Sequence, residues 1–249
     1  FLFFPVLLGI AIVLDLGGNN NKWVTSRFSV FILIFLTCES CGILLSFLIW
    51  VLSLGGLAQR SFFRGNFALQ RWWAGILFWG IVRTFGMKIR ISGEESLRRG
   101  NIVILSRHVS SADSLIPSVF VSRAFKTHLR FVMKDELLWD PCLDIVGNRL
   151  PNCFVQRGKG NPEEDVARIR KLFEGLSPDE GVVFFPEGTR FTKERRDRAL
   201  KRLEEKGELQ TLKKAQALDR VLPPRRAGTD ALLDSNGGAD VLFVAHTGF

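Results

Sequence analysis

Asn101-Ile102-Val103-Ile104-Leu105-Ser106-Arg107-His108-Val109-Ser110-Ser111-Ala112-Asp113 sets a short, β-branched apolar run directly before a polar turn. Bounded by Gly100 and Ser106, the run reads as a strand buried on both faces. Similar runs recur at residues 128–133, 153–156, 181–185 and 241–245, and residues 88–92 alternate as a further short strand. Residues 115–124 look helical. Residues 162–176 place Val166, Ile169, Leu172 and Phe173 at helical spacing behind an Asn161-Pro162 start. Strands alternating with helices predict an α/β fold with a mostly parallel central sheet flanked by helices. No internal repeat is visible.

Outward from this body the composition changes on both sides. Up to Leu57 only Asp15, Lys22, Arg27 and Glu39 are charged, and they cancel, so the formal net charge of +9 resides in the rest of the chain. Residues 1–14 are almost wholly apolar, residues 15–22 form a Gly/Asn-rich turn, and residues 28–57 exceed the roughly 20 residues that cross a bilayer. Residues 1–57 are therefore expected to form a membrane-embedded helical hairpin, with Glu39 facing its partner helix or protonated. Between residues 58 and 86, Trp72, Trp73 and Trp79 interleave with Arg64, Arg71 and Arg83, as in a helix lying in the membrane interface; core packing would give the same pattern. The α/β body then spans 87–249. Within it residues 191–219 form a solvated, charged helical insertion, breakable at Gly207. The chain starts at Phe1 and ends at Phe249, and reads as a fragment cut at either end.

An apolar end on a basic body fits an anionic membrane surface. A nucleic-acid partner is not expected, because it leaves the apolar end without a purpose. The four cysteines imply no disulfide framework, and Cys38-x-x-Cys41 reads as small packing residues in a membrane helix. With three scattered histidines, neither a metal site nor a bound cofactor is expected.

His108 follows a buried strand, where α/β folds place their sites. His128 opens a strand and His246 closes one, and both read as structural. Residues five apart on a continuous helix stand about 140° apart. His108 must therefore precede the helix, with Asp113 curling back from its first turn to fix one imidazole tautomer. The other nitrogen could take a proton from a hydroxyl. Ser110-x-x-Asp113 equally reads as a capping box. Backbone N–H groups of the His108 turn are candidates for stabilising an oxyanion. A second polar turn, Phe185-Pro186-Glu187-Gly188-Thr189-Arg190, also leaves a strand. Gly188 permits a tight turn, Thr189 offers a hydroxyl and Arg190 a planar fork for phosphate. Glu187 would orient arginines or accept from a substrate hydroxyl. Arg157, after Phe154-Val155-Gln156, brings a cation to the same sheet edge, where it could clamp a phosphate with Arg190.

Together these residues resemble the PlsC-like glycerophospholipid acyltransferases. His108 and Asp113 match the family's His-x4-Asp block, Phe154 to Arg157 its second block, Phe185 to Arg190 its Phe-Pro-Glu-Gly-Thr-Arg block letter for letter, and Val221 to Arg225 a proline-containing fourth. The resemblance implies that His108 is the general base and Asp113 its partner. It also implies that Arg157, Glu187, Gly188, Thr189 and Arg190 bind the acceptor's glycerol phosphate, and that Pro223 and Pro224 shape the site or its acyl-donor side. Acyl-CoA or acyl-carrier protein would be the donor and a lysophospholipid the acceptor, first of all 1-acylglycerol-3-phosphate, giving phosphatidic acid. The enzyme would work at the bacterial inner membrane or the endoplasmic reticulum, facing the cytoplasm. Arg107 departs from the Asn common before the histidine. The charged insertion is more like the lysophospholipid and lysocardiolipin branch. A CoA-independent transacylase, a remodelling acyltransferase and a non-catalytic basic membrane-binding protein are the alternatives.

Overall fold

The computed structural model describes residues 2–18, 22–96, 101–155 and 162–247. The chain forms two compact units, Phe1–Glu94 with Trp139–Leu150, and Glu95–Leu138 with Pro151–Phe249.

The first unit is helical: α1 (Phe4–Gly17), α2 (Val24–Leu52), α3 (Gln59–Phe85) and, later in the chain, α5 (Pro141–Arg149). Asp15 closes the α1/α2 turn by accepting from Ser26 N (2.8 Å), Ser26 Oγ (2.7 Å) and Thr25 N (3.1 Å), donors that the start of α2 leaves unpaired. At 29 residues, α2 is long and apolar enough to cross a bilayer. Its carboxylate, Glu39, is buried and accepts from Trp73 Nε1 at 2.6 Å and Cys142 N at 3.2 Å. The mid-helix charge thus turns toward α3 and α5. Small residues let these helices approach: a Cβ at Gly42 would stand 2.5 Å from Cys142 Sγ, and one at Gly65 2.9 Å from Ile49 Cγ2. Phe67, Leu69, Cys142, Val146 and Leu150 fill the space between them.

The second unit is built on five strands, β1 (Ile102–Ser106), β2 (His128–Lys134), β3 (Cys153–Val155), β4 (Glu180–Phe184) and β5 (Asp240–Val244), in the order β3-β2-β4-β1-β5. Every pairing is parallel, with Leu105 opposite Phe184 and Ser106 opposite Val244. Alternate residues serve opposite faces. Val103, Leu105, Val182 and Phe184 pack with Ile169, Leu172 and Leu232 on one side. Ile102, Ile104 and Val183 pack with Leu129, Phe131 and Val121 on the other. Central strands buried on both faces explain the unbroken apolar runs. The flanking helices are α6 (Pro162–Lys171) and α9 (Arg226–Asp234), and the charged segment forms α7 (Lys193–Glu205) and α8 (Leu209–Gln216), divided at Gly207.

Three local expectations are corrected. Residues 88–92 pair with no strand among the described residues, and alternation alone, without a neighbour to complete the hydrogen-bond ladder, makes no strand. The helix expected at residues 115–124 is a 3-10 turn (Ser111–Leu115), a π-helical turn (Pro117–Ser122) and the short α4 (Arg123–Phe125). Pro117 lacks an N–H, so the regular ladder cannot run through it. Helices α5 and α9 were unanticipated, although Asp140 caps α5 by accepting from Leu143 N at 2.9 Å, just before Pro141.

One buried ion pair anchors the sheet to the turn after α6. Arg130 of β2 meets Glu180 of β4 at 2.7 Å and donates to the carbonyls of Leu172, Glu174 and Gly175 at 2.8, 2.9 and 3.1 Å. Arg130→Met leaves the Glu180 charge buried without its cation, and should cost about 3–5 kcal/mol. Denaturant unfolding in detergent checks this, and a loss under about 1 kcal/mol would contradict it.

Candidate active site

Parallel pairing carries the exits of β4, β1 and β5 to one edge of the sheet. In open α/β sheets such carboxyl ends are where ligands bind. The chain leaves β1 through Arg107, whose N–H continues the ladder to Val244 O at 2.9 Å. His108 follows in the turn, and Ser110 stands at the N-cap of the short 3-10 helix that holds Asp113. Asp113 bends back over the turn. Its Oδ2 accepts from Val109 N and from Ser110 N (2.6 Å), and its Oδ1 from Ser110 Oγ (2.7 Å). His108 Nδ1 lies 3.8 Å from Oδ2, an ion-pair separation longer than a hydrogen bond. The capping box and the imidazole partner are therefore one arrangement. The five-residue spacing is a turn plus the first turn of a helix.

Asp113 is fully buried. Burial works against its charge. The His108 side chain, the Ser110 N–H and hydroxyl and the Val109 N–H outweigh burial and hold the carboxyl well below the usual aspartate range. A fixed negative charge therefore faces an imidazole that is 15% exposed and rests against the Phe185 ring, 4.8 Å between centroids. Such a charge stabilises an imidazolium when one forms.

The β4 exit supplies the second half. Glu187 is 4% exposed. Its Oε1 accepts from His108 N and its Oε2 from Leu222 N, each at 2.9 Å. Both oxygens thus take backbone N–H groups, where arginines or a substrate hydroxyl were expected, and the carboxylate ties the β1 and β4 exits to the segment before α9. Gly188 closes the turn with φ +63° and an N–H to Phe185 O at 2.8 Å, and a Cβ there would stand 2.6 Å from Arg225 Cδ. Only glycine takes that conformation without strain. Arg225 N donates to Pro186 O at 2.9 Å, so Pro223 and Pro224 lie on a segment held at both ends. Thr189 is half-buried beside this turn and Arg190 is exposed. Arg157 lies outside the described residues.

The N–H groups of His108, Val109 and Ser110 are all taken by carboxylates. An oxyanion cannot use them, contrary to expectation. His246 is not simply a structural strand end, since its Nε2 approaches Asp113 Oδ1 at 3.2 Å. Arg107 is likewise engaged, donating from Nη1 to His246 O at 2.5 Å and from Nη2 to Arg220 O at 2.6 Å. Position at a strand exit was the signal for His246, but the sequence does not state which strands are neighbours. Among the described residues, no group of three His, Cys, Asp or Glu side chains is placed to hold a metal ion.

Comparison with known proteins accords with this geometry. A family model described as Acyltransferase matches residues 88–219, just over half of the chain. A mouse (Mus musculus) protein, 1-acyl-sn-glycerol-3-phosphate acyltransferase epsilon, is 28% identical over 108 residues, 43% of this chain and 29% of that relative. The match thus spans less than a third of the curated relative's length. No solved structure matches.

The depressed Asp113 carboxyl has a consequence for stability. The unfolded chain protonates this group near pH 3.9, before the folded one does. Its ionisation therefore stabilises the fold fully above about pH 4, and less as pH falls through the lower folded value. Asp113→Asn should melt below wild type at neutral pH, with the gap narrowing progressively as pH falls below about 4. A gap constant across that range would contradict the assignment.

Proposed function

The chain belongs to the Acyltransferase family, and from that premise we propose that it moves a fatty acyl group from a thioester donor to the hydroxyl of a lysophospholipid. The observation that carries the reading is His108 beside the fully buried Asp113, at a sheet edge shared with the Glu187-Gly188-Thr189-Arg190 turn.

The acceptor hydroxyl gives its proton to His108 as its oxygen attacks the thioester carbonyl. The tetrahedral intermediate collapses to an ester, the C–S bond breaks, and the thiolate leaves with the proton from the imidazolium. Asp113 holds the tautomer and offsets the imidazolium charge. The 3.8 Å separation closes as substrate seats the ring, as apo geometries commonly tighten in the reacting complex. Ser110 donates its hydroxyl proton to Asp113, so it is not poised as a nucleophile. Glu187 acts as a positioning residue for the His108 turn. Thr189, Arg190 and Arg157 are the groups suited to an acceptor phosphate, with Gly188 giving close access to the turn. Acyl-CoA or acyl-carrier protein is the proposed donor and 1-acylglycerol-3-phosphate the first acceptor to try, which accords with the name of the mouse relative. Helix α2 would hold the enzyme in the bilayer where acceptor and product reside.

Detergent-solubilised protein should convert oleoyl-CoA and lysophosphatidic acid to product, and His108→Ala should lose about 100-fold or more in kcat. Equal turnover by the variant would overturn the assigned base. Turnover only from a phospholipid donor would point to the transacylase. No turnover with any donor or lysophospholipid would favour a non-catalytic membrane-binding protein.

A further inference from the structure

We infer that His246 is a positioning residue of this site, holding Asp113 Oδ1 so that Oδ2 stays aimed at His108. The inference deepens the acyl-transfer reading and rests on it for the chemistry, though not for the geometry.

β5 is an edge strand, and the side chains around its exit face outward: Phe243 is 76% exposed, and Ala245 and Thr247 are exposed too. The His246 side chain does the opposite, at 11% exposure. Its Nε2 stands beside a carboxylate. Its backbone is fixed from the β1 side by the Arg107 N–H to Val244 O and by Arg107 Nη1 to His246 O. Arg107 precedes His108, so the same residue that sets the start of the His108 turn also sets where the second imidazole stands.

Asp113 shows what the second imidazole does. A carboxylate offers about four acceptor places. Oδ2 accepts from Val109 N and Ser110 N and faces His108 Nδ1. Oδ1 accepts from Ser110 Oγ and lies at ion-pair distance, 3.2 Å, from His246 Nε2. The carboxylate plane turns about a soft sp³–sp² torsion. Contacts on Oδ1 therefore act together with the Val109 and Ser110 N–H bonds on Oδ2 in setting the plane, and the 3.8 Å separation to His108 has to shorten along the direction they set. Without His246, Oδ1 keeps the Ser110 hydroxyl alone, and the plane is restrained by that hydroxyl and the two N–H groups on Oδ2, with more freedom to tilt from the base.

The test uses the full chain in detergent, with His246→Leu, which removes the ring's polar edge beside Asp113, and His246→Gln, which keeps an N–H at similar reach. Kinetics and ¹⁵N-histidine NMR are read together. Only three histidines are present, and His128→Gln assigns the third signal. His246→Leu should lower kcat by roughly 10- to 100-fold, with acceptor KM within about 3-fold, and His246→Gln should return to within about 5-fold of wild type. The His108 ring signals should leave the Nδ1-protonated tautomer in His246→Leu and keep it in His246→Gln. Wild-type kcat and unchanged His108 signals in His246→Leu would overturn the proposal. So would equal defects in both variants with His108 unchanged, which describe a purely structural histidine. If wild type makes no product with any acceptor, the acyl-transfer reading fails. The His108 signals still decide the positioning role, supporting it if they move in His246→Leu and overturning it if they do not.

Discussion

One buried carboxylate holds the site together. Glu187 takes a backbone N–H from the β1 exit on one oxygen and one from the segment before α9 on the other. Hydrogen bonds to a charged acceptor contribute about 1.5–3 kcal/mol each, and an uncompensated buried carboxylate costs several. The two N–H groups must therefore stay in place for the charge to stay buried. A parallel sheet makes such a tie possible, because it delivers successive strand exits to the same edge. An antiparallel neighbour would send every second exit to the far side.

Around that tie each side chain answers a local need and a functional one. Asp113 satisfies donors that the start of a short helix leaves open, and the same bonds keep it ionised against burial. Gly188 lets the turn after β4 close against the aliphatic part of Arg225. Arg107 fastens the exits of β1 and β5. The price of this economy is that the N–H groups of the His108 turn are unavailable to a developing oxyanion, so that charge must be met by groups contributed elsewhere.

Much of this was legible in the sequence, because buried parallel strands need continuous apolar residues: residues 102–105 and 181–184 announced themselves, and 241–244 carry a like run although β5 lies at the exposed edge. The apolar α2 and the division of the charged segment at Gly207 were legible for equally local reasons. The His108-to-Asp113 spacing could be worked out from helix geometry. Strand order could not, since it depends on crossovers that leave no local pattern. For that reason His246 looked like an ordinary strand end. The two backbone donors of Glu187 were hidden on the same ground, because they are 79 and 35 residues away. Residues 88–92 show the converse error: alternation without a pairing partner makes no strand.

The central claim is that the acceptor hydroxyl attacks the thioester directly, with His108 as base. The most direct measurement is a single-turnover incubation with radiolabelled acyl-CoA, first without acceptor and then with lysophosphatidic acid. Direct transfer predicts no label on the denatured protein and no thiol release until acceptor is added, after which thiol and acylated lipid appear in equal amounts. A labelled protein that forms without acceptor, and then passes its label to lysophosphatidic acid, would contradict it.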